Sequence, residues 1–206
     1  KSDKHLHKWG FKDSGFKSIG DKVVKFLGDR YEVSGTEMPD FIPYIEKMLD
    51  IEIEDNDKLR EVDEKFVSPS KVDKKFYQEL EKVFENDKFT IENTERLIHS
   101  HGQETFKDIY KVLYKSIDRL VDLVFYPESE EDVRKIIEIA LKYNVCLIPY
   151  GGGTNVTRAL SVPENEKRTV VSIDTRRLSK IEWINKEDRR VCVEAGITGK
   201  NLDELL

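Results

Sequence analysis

The chain has 206 residues, with 35 Lys and Arg against 41 Asp and Glu and a net charge of −6. That length bounds it to one or two domains, and the negative balance argues against a general nucleic-acid binder, which needs a basic surface to displace phosphate counterions. The apolar stretch Val145-Cys146-Leu147-Ile148 has only a strand's length, whereas a membrane-spanning helix takes roughly 20 predominantly apolar residues.

The front of the chain is charged and interrupted. Val23 to Ser34 holds two short apolar-aromatic runs around Gly28-Asp29, the pattern of a hairpin. After Pro39, the residues Phe41, Ile42, Ile45, Met48 and Leu49 share one helix face. That face is expected to pack into a core rather than lie on a membrane, because Asp40, Glu46, Lys47 and Asp50 do not make a basic stripe. Residues 50–65 contain eight acids, three bases and no aromatic, Gly or Pro, and read as a solvated loop or frayed helix. Helical spacing returns at Phe76, Tyr77, Leu80, Val83 and Phe84, and again from Thr94 to Ile117 with an interruption at His101-Gly102. His5 and His7, like His99 and His101, set two imidazoles two residues apart. No Cys or carboxylate cluster completes either pair into a metal site, so they read as terminal and helix-end residues and no metal is expected.

The back of the chain alternates strand, helix, strand. Asp122 to Phe125 is a short strand stopped by Pro127. Ser129 with Asp132 three residues on resembles a capping box, and the helix behind it is expected to bury Val133, Ile136, Ile137, Ala140 and Leu141 before Asn144 ends it. Val145 to Ile148 reads as a strand buried on both faces. Thr169–Ile173, Ile181–Ile184 and Val191–Val193 are further strands, the last two joined by the polar turn Asn185-Lys186-Glu187-Asp188. The order implies a mixed α/β arrangement, with a mainly helical region over 1–120 and the mixed sheet over 121–206. Cys146 and Cys192 sit in the strands and are expected to be buried, reduced thiols.

The informative stretch is Pro149-Tyr150-Gly151-Gly152-Gly153-Thr154-Asn155-Val156-Thr157. Three glycines directly after a strand permit positive φ and a run of backbone N–H groups, which together can cradle an anion such as a phosphate. Thr154, Asn155 and Thr157 offer side-chain donors. Val156 breaks the G-x-G-x-x-G spacing and no lysine follows until Lys167, so this is neither a dinucleotide fingerprint nor a Walker loop. The plainer alternative is a tight turn after a strand; the strand, the proline and the hydroxyl-rich tail favour the cradle.

At this loop the sequence resembles the vanillyl-alcohol-oxidase-type flavoproteins. Tyr126-Pro127, the helix, and Tyr143 through Thr154 look like the first half of their PCMH-type FAD-binding domain, in which a Pro-x-Gly-Gly-Gly-Thr/Ser loop wraps the FAD pyrophosphate. The resemblance implies Pro149, Tyr150, Gly151, Gly152, Gly153, Thr154, Asn155 and Val156 as FAD-binding residues. Val193-Glu194-Ala195-Gly196-Ile197-Thr198-Gly199 looks like the family's second signature and adds Gly196. Asn155 stands where Ser is common and Ala159 where Gly is. Lys8-Trp9-Gly10-Phe11, Arg30 to Gly35, Met38 to Phe41, Arg96 to Gly102 and Asp174 to Ile181 resemble, within this superfamily, the alkyldihydroxyacetonephosphate synthases of ether-lipid synthesis.

What that resemblance implies is an α+β fold, a helical N-terminal region followed by the first half of the FAD-binding domain with its mixed sheet. It implies FAD as cofactor and a transferase without net redox change. The substrates would be acyl-dihydroxyacetone phosphate and a long-chain fatty alcohol, with a fatty acid leaving. It also implies a peroxisomal homodimer peripheral to the membrane. The family's second FAD loop, cap domain and catalytic Tyr, Arg and His fall beyond Leu206, so no catalytic residue is expected here. The opening at Lys1 and the close at Asp203-Glu204-Leu205-Leu206 are read as those of a piece of a longer chain. Two alternatives stand beside this reading: an FAD-dependent 2-hydroxy-acid oxidoreductase of the same fold, and a non-catalytic phosphate- or nucleotide-binding module.

Overall fold

The structure, a computed structural model, describes residues 5, 10–54, 67–102, 106–114, 117–155 and 157–206. The acidic stretch expected to be solvated falls mostly outside them, as do His7 and Val156. The chain divides into two compact units, Lys1–Val62 and Asp63–Leu206.

In the first unit, β1 (Gly15–Gly20) and β2 (Val23–Leu27) form an antiparallel hairpin that pairs Gly15 with Leu27 and Ser18 with Val24. Its turn is Asp21-Lys22, at φ 50° and 59°, the primed-turn region whose twist matches paired strands. The hairpin thus lies one strand earlier than the Gly28-Asp29 pattern predicts. Gly28 has another reason to be glycine. It sits at φ 102°, and a Cβ there would fall 2.5 Å from the Asp13 carbonyl oxygen. The chain then loops back as β3 (Glu37–Met38), pairing with Lys25 and Val24.

The predicted helix follows as α1 (Phe41–Leu49), closed by Asp50 in the left-handed region at φ 52°. Its start packs on the hairpin, where Phe41 stacks on Phe16 at 4.9 Å and Phe16 meets Phe26 edge-on at 5.0 Å, and Ile42 and Ile45 are half-buried. Met48 and Leu49 remain exposed, and the helix has no fully buried residue, so the expected core face is only half covered.

In the second unit, α2 (Lys74–Val83) starts where the Asp73 carboxylate accepts from the Lys75 and Phe76 N–H groups, a cap worth about 1 kcal/mol. Phe76 and Leu80, one turn apart, are fully buried. A short 3-10 turn leads to β4 (Phe89–Thr90), then α3 (Asn93–Ile98) and α4 (Phe106–Tyr114). Next come β5 (Leu123–Phe125), α5 (Glu130–Tyr143), β6 (Cys146–Tyr150) and β7 (Val170–Asp174). The sheet order is β4-β5-β7-β6, with β4 antiparallel to β5 and the other three strands parallel. A separate antiparallel pair, β8 (Ile181–Asn185) and β9 (Arg190–Val193), precedes α6 (Gly199–Leu205).

The period of two along each strand sorts the residues onto two faces. Leu123, Phe125, Val171 and Ile173 pack with Phe76, Leu80, Ile136, Ile139 and Ala140 under α2 and α5. Val124 and Val170 face the other way, with Cys146 and Ile148 beside them. By the same alternation Tyr150 and Asp174, register partners at the strand ends, share that second face.

Several expectations change here. β6 is the sheet's edge, so Cys146, Leu147 and Ile148 are half-buried rather than buried on both sides. Cys146 and Cys192 are accordingly free and half-buried. The face of α5 is rotated: Ile139 is buried in place of Ile137 and Leu141, which are exposed. Ser129 caps α5 as read, accepting from the Asp132 N–H at 3.1 Å, but the Asp132 carboxylate takes the Glu128 N–H instead of completing the box on Ser129. The composition shift near residue 120 lies inside the second unit, because β4 pairs with β5 and α2 packs against the same core as α5.

The N-terminal ends of β5 and β7 are held by a buried ion pair. Arg119 Nη1 and Nη2 donate to Asp122 Oδ1 and Oδ2 at 2.9 and 2.6 Å, and the Lys71 and Val170 N–H groups donate to the same two oxygens. Burial works against the charge, but these donors outweigh it and hold the Asp122 carboxyl below the ordinary carboxylate range.

Candidate functional site

The glycine loop leaves the C-terminal end of β6, on the edge of a parallel sheet where ligands of such folds gather. Pro149 is exposed and Tyr150 is buried. Of the three glycines only Gly153, at φ 69°, takes the left-handed region. Gly151 and Gly152 are exposed. A Cβ on Gly151 would meet nothing within 4 Å, and one on Gly152 only the Thr154 methyl at 3.9 Å. The protein's own packing therefore does not demand glycine at these two positions, and the room a side chain would fill is open to a ligand approaching the backbone.

The loop's far side is fastened inward. Asn155 is buried at φ 57°, and its carboxamide oxygen accepts from the Leu160 N–H at 2.8 Å. A Cβ on Gly102 would lie 2.4 Å from Asn155 Cβ and 2.9 Å from the Thr154 carbonyl oxygen. Gly102, read as a helix interruption, is the surface on which residues 154–155 dock. Gly196 is held closely too. A Cβ there would sit 1.9 Å from the Thr175 carbonyl oxygen, and its N–H donates to the Leu178 carbonyl at 2.7 Å. Thr175 Oγ1 in turn donates to the Tyr150 carbonyl at 3.4 Å, so the two signatures meet through Thr175 at the root of the loop.

Beneath that root lies a polar cluster that reading the sequence missed. His99, at the end of α3, is fully buried, with Nε2 2.7 Å from Asp174 Oδ2 and Nδ1 2.7 Å from the Glu95 carbonyl oxygen. Its ring lies 4.2 Å from that of Tyr150 and 6.0 Å, edge-on, from that of Tyr126. Tyr126 Oη donates to Glu95 Oε2 at 2.8 Å, and burial first, then that carboxylate, pushes its phenol up. Arg176 Nε donates to Asp174 Oδ2 at 2.8 Å, and the Arg176 N–H donates to Oδ1 at 2.9 Å. Burial opposes the charge on Asp174, but His99 and Arg176 prevail and keep its carboxyl low. The available signal was Asp174 itself, a carboxylate ending the apolar run Val170–Ile173, because a buried charge must be paired. His101 Nδ1 donates to the Gly102 carbonyl at 2.9 Å.

The loop is anchored on both sides and has open space over its first two glycines. Thr154 stands beside them, its methyl 3.9 Å from a Cβ built on Gly152. Among the described residues no group of three or more His, Cys, Asp or Glu is placed to hold a metal, and no helix is long and apolar enough to cross a membrane.

Residues 121–206 match the family model of an FAD binding domain. An alkyldihydroxyacetonephosphate synthase of Caenorhabditis elegans is 40% identical over 96% of this chain and 33% of its own length. One from Dictyostelium discoideum is 31% identical over 85% and 30%. A mitochondrial D-lactate dehydrogenase of Arabidopsis thaliana is 31% identical over 66% and 22%. A solved alkyldihydroxyacetonephosphate synthase structure superposes with a TM-score of 0.84 at 26% identity, over 98% of this chain and 38% of that one. The chain thus spans about a third of the length of these two curated synthases. With the α+β fold, the glycine loop and the front segments in agreement, the chain belongs to the alkyldihydroxyacetonephosphate synthase family of FAD-binding proteins.

Proposed function

We propose that this chain is the part of an ether-lipid synthase that grips the FAD pyrophosphate. In the whole protein, the acyl group of acyl-dihydroxyacetone phosphate is exchanged for a long-chain fatty alcohol, giving alkyl-dihydroxyacetone phosphate and a free fatty acid. The observation that carries the reading is the open backbone at Gly151 and Gly152 on a loop fastened by Gly102, Asn155 and Thr175, in a chain similar to the synthases over almost all of its length. FAD, when bound, supplies the reactive centre for the transfer. This chain's residues would bind and orient it: the backbone after β6 would hold the pyrophosphate, and Pro149, Tyr150, Thr154, Asn155 and Gly196 would shape or brace that loop.

Full-length protein assayed for alkyl exchange, with its absorbance read across the flavin bands, tests this. Yellow protein with exchange activity is expected. Yellow protein that instead oxidises 2-hydroxy acids would favour the second reading, which the 31% identity to a D-lactate dehydrogenase supports. Colourless protein would leave a phosphate- or nucleotide-binding module. Peroxisomal location, peripheral membrane attachment and a homodimer belong to the same proposal, supported by the family resemblance alone. Cell fractionation and light scattering test them.

A further inference from the structure

From Pro149 to Asn155 the glycine loop carries no charged side chain. Three arginines follow it in the chain, and the structure uses them differently. Arg158, three residues past Asn155, is exposed. Arg177 donates to Glu128 Oε1 at 2.8 Å and to the Asp87 carbonyl at 3.0 Å, with its guanidinium over the Tyr126 ring. Arg176 comes directly after Thr175, whose hydroxyl reaches the Tyr150 carbonyl at the root of the loop. Its Nε donates to Asp174 Oδ1 and Oδ2 at 3.0 and 2.8 Å, and its Nη2 lies 2.7 Å from Oδ2. Asp174 is completely buried and is the register partner of Tyr150, so this edge of the guanidinium is pinned to the end of the sheet. The Arg176 side chain is nonetheless 36% exposed, and the Tyr150 and Tyr126 phenols are within reach of its charge.

We propose that Arg176 is a binding residue for FAD: pinned by Asp174 beside the root of the glycine loop, it supplies to the pyrophosphate the positive charge that the loop itself lacks. The inference rests on the FAD reading of that loop, and it names a side chain outside both the loop and the Val193–Gly199 stretch. A long cationic side chain loses rotamer freedom when it grips an anion. Asp174 has already fixed this one, at the C-terminal end of the parallel strands where ligands of such folds gather. A guanidinium is a rigid fork of N–H donors, so one edge can stay on Asp174 while the group serves a second oxyanion. Its charge acts on a neighbouring phosphate whether or not a donor changes partner. The acyl-dihydroxyacetone phosphate of the proposed reaction also carries a phosphate, so the experiment has to tell the two sources apart.

The test is titration of flavin-free full-length protein with FAD, followed by flavin fluorescence, in about 0.1 M and about 1 M sodium chloride. At the lower salt Arg176→Gln is expected to bind FAD at least about tenfold more weakly. It should lose a similar factor for ADP, a competitor that carries the diphosphate without the flavin. The variant's affinity should also fall less steeply with salt than the wild type's, because the contact that salt screens is gone. A loop merely displaced would lose affinity alike at both salts. Arg176→Lys, which keeps the charge, should recover part of the loss. Arg177→Gln removes the same charge one residue on and should stay within about twofold of wild type. Thermal melting of the flavin-free proteins checks that each variant is folded. If Arg176→Gln is not, the wild type decides alone, and FAD affinity that does not change with salt would overturn the proposal. So would an Arg176→Gln variant that binds FAD like the wild type, one with the wild type's salt dependence, or an equal loss in Arg177→Gln. A raised KM for acyl-dihydroxyacetone phosphate with FAD affinity unchanged would also overturn it, and would give Arg176 to the substrate's phosphate instead. Wild-type protein that takes up no FAD at either salt would overturn the FAD reading itself.

Discussion

The two ends of the parallel strands carry buried ion pairs of different kinds. Before β5, Asp122 meets Arg119, whose charge is permanent, and every acceptor position on the carboxylate is filled from side chain or backbone. After β7, Asp174 meets the buried imidazole of His99 and Arg176, whose side chain is 36% exposed. The first pair joins Arg119, the segment before α2 and the start of β7. The second joins the end of α3 to the strand ends from which the glycine loop departs. The same physics of paired buried charge therefore serves an enclosed base at one end and a partly open rim at the other, and the rim is where the FAD site is proposed.

The sharpest way to break this contrast is at the base. Asp122→Ala leaves Arg119 buried without its carboxylate and strips acceptors from the Lys71 and Val170 N–H groups. Loss of one partner of a buried pair costs about 3–5 kcal/mol. Urea denaturation of the full-length protein should show that loss, with flavin released only as the protein unfolds. A cost under about 1 kcal/mol would mean the base is not load-sharing and the contrast fails.

Next in size are two glycine substitutions that separate packing from binding. Gly102→Ala drives a methyl into Asn155 and the Thr154 carbonyl, an overpacking of about 1–3 kcal/mol, and should weaken both stability and FAD binding. Gly152→Val points into open space in the protein alone. It should leave the melting of flavin-free protein within about 0.5 kcal/mol of wild type while lowering FAD affinity by at least about tenfold. Normal flavin content in the valine variant would remove Gly152 from the cradle.

Much of this was legible from sequence because it is local. The helices α2 and α5, the strand β7, the hairpin of β8 and β9 and the glycine loop each announce themselves within a dozen residues. What was not legible depends on distant partners. His99 looked like an unremarkable helix-end residue because Asp174 lies 75 positions away. Gly102 looked like a helix break because the surface it makes room for is residues 154–155. β6 looked doubly buried because nothing in Val145–Ile148 says that it ends a sheet. The first hairpin was displaced because its turn uses Asp21-Lys22, which can take positive φ but carry no glycine to advertise it.

Acid attacks what the two ends share. Asp122 and Asp174 are both held below their ordinary values. Their contribution is therefore fully present above about pH 4, the unfolded carboxylate value, and is lost as pH falls through the folded ones. Acid should loosen both ends together. Amide exchange corrected for intrinsic rates reads this directly: the Val170, Lys71 and Arg176 N–H groups, all donors to these two carboxylates, should lose protection only below about pH 4. Protection that persists at one end in acid would show that its carboxylate is not what holds that end.

The smallest expected effect is at Cys146, which begins β6 on the same side as the Val121, Val124, Val162 and Val170 cluster. Its N–H donates to the Thr169 carbonyl at 2.8 Å, and that backbone bond survives any side-chain change. Cys146→Ser exchanges a thiol packed against valines for a hydroxyl, in a half-buried edge position where water can partly solvate it. The cost should be about 1 kcal/mol or less. Because β6 runs from this base end to Tyr150 at the rim, the substitution also asks whether disturbance travels along the strand. If the loop is positioned by His99, Thr175 and Gly102 at its own end, FAD affinity should stay within about twofold of wild type. A larger loss with flavin-free stability intact would show that the edge strand transmits its register to the loop, and the rim would no longer be an independent element.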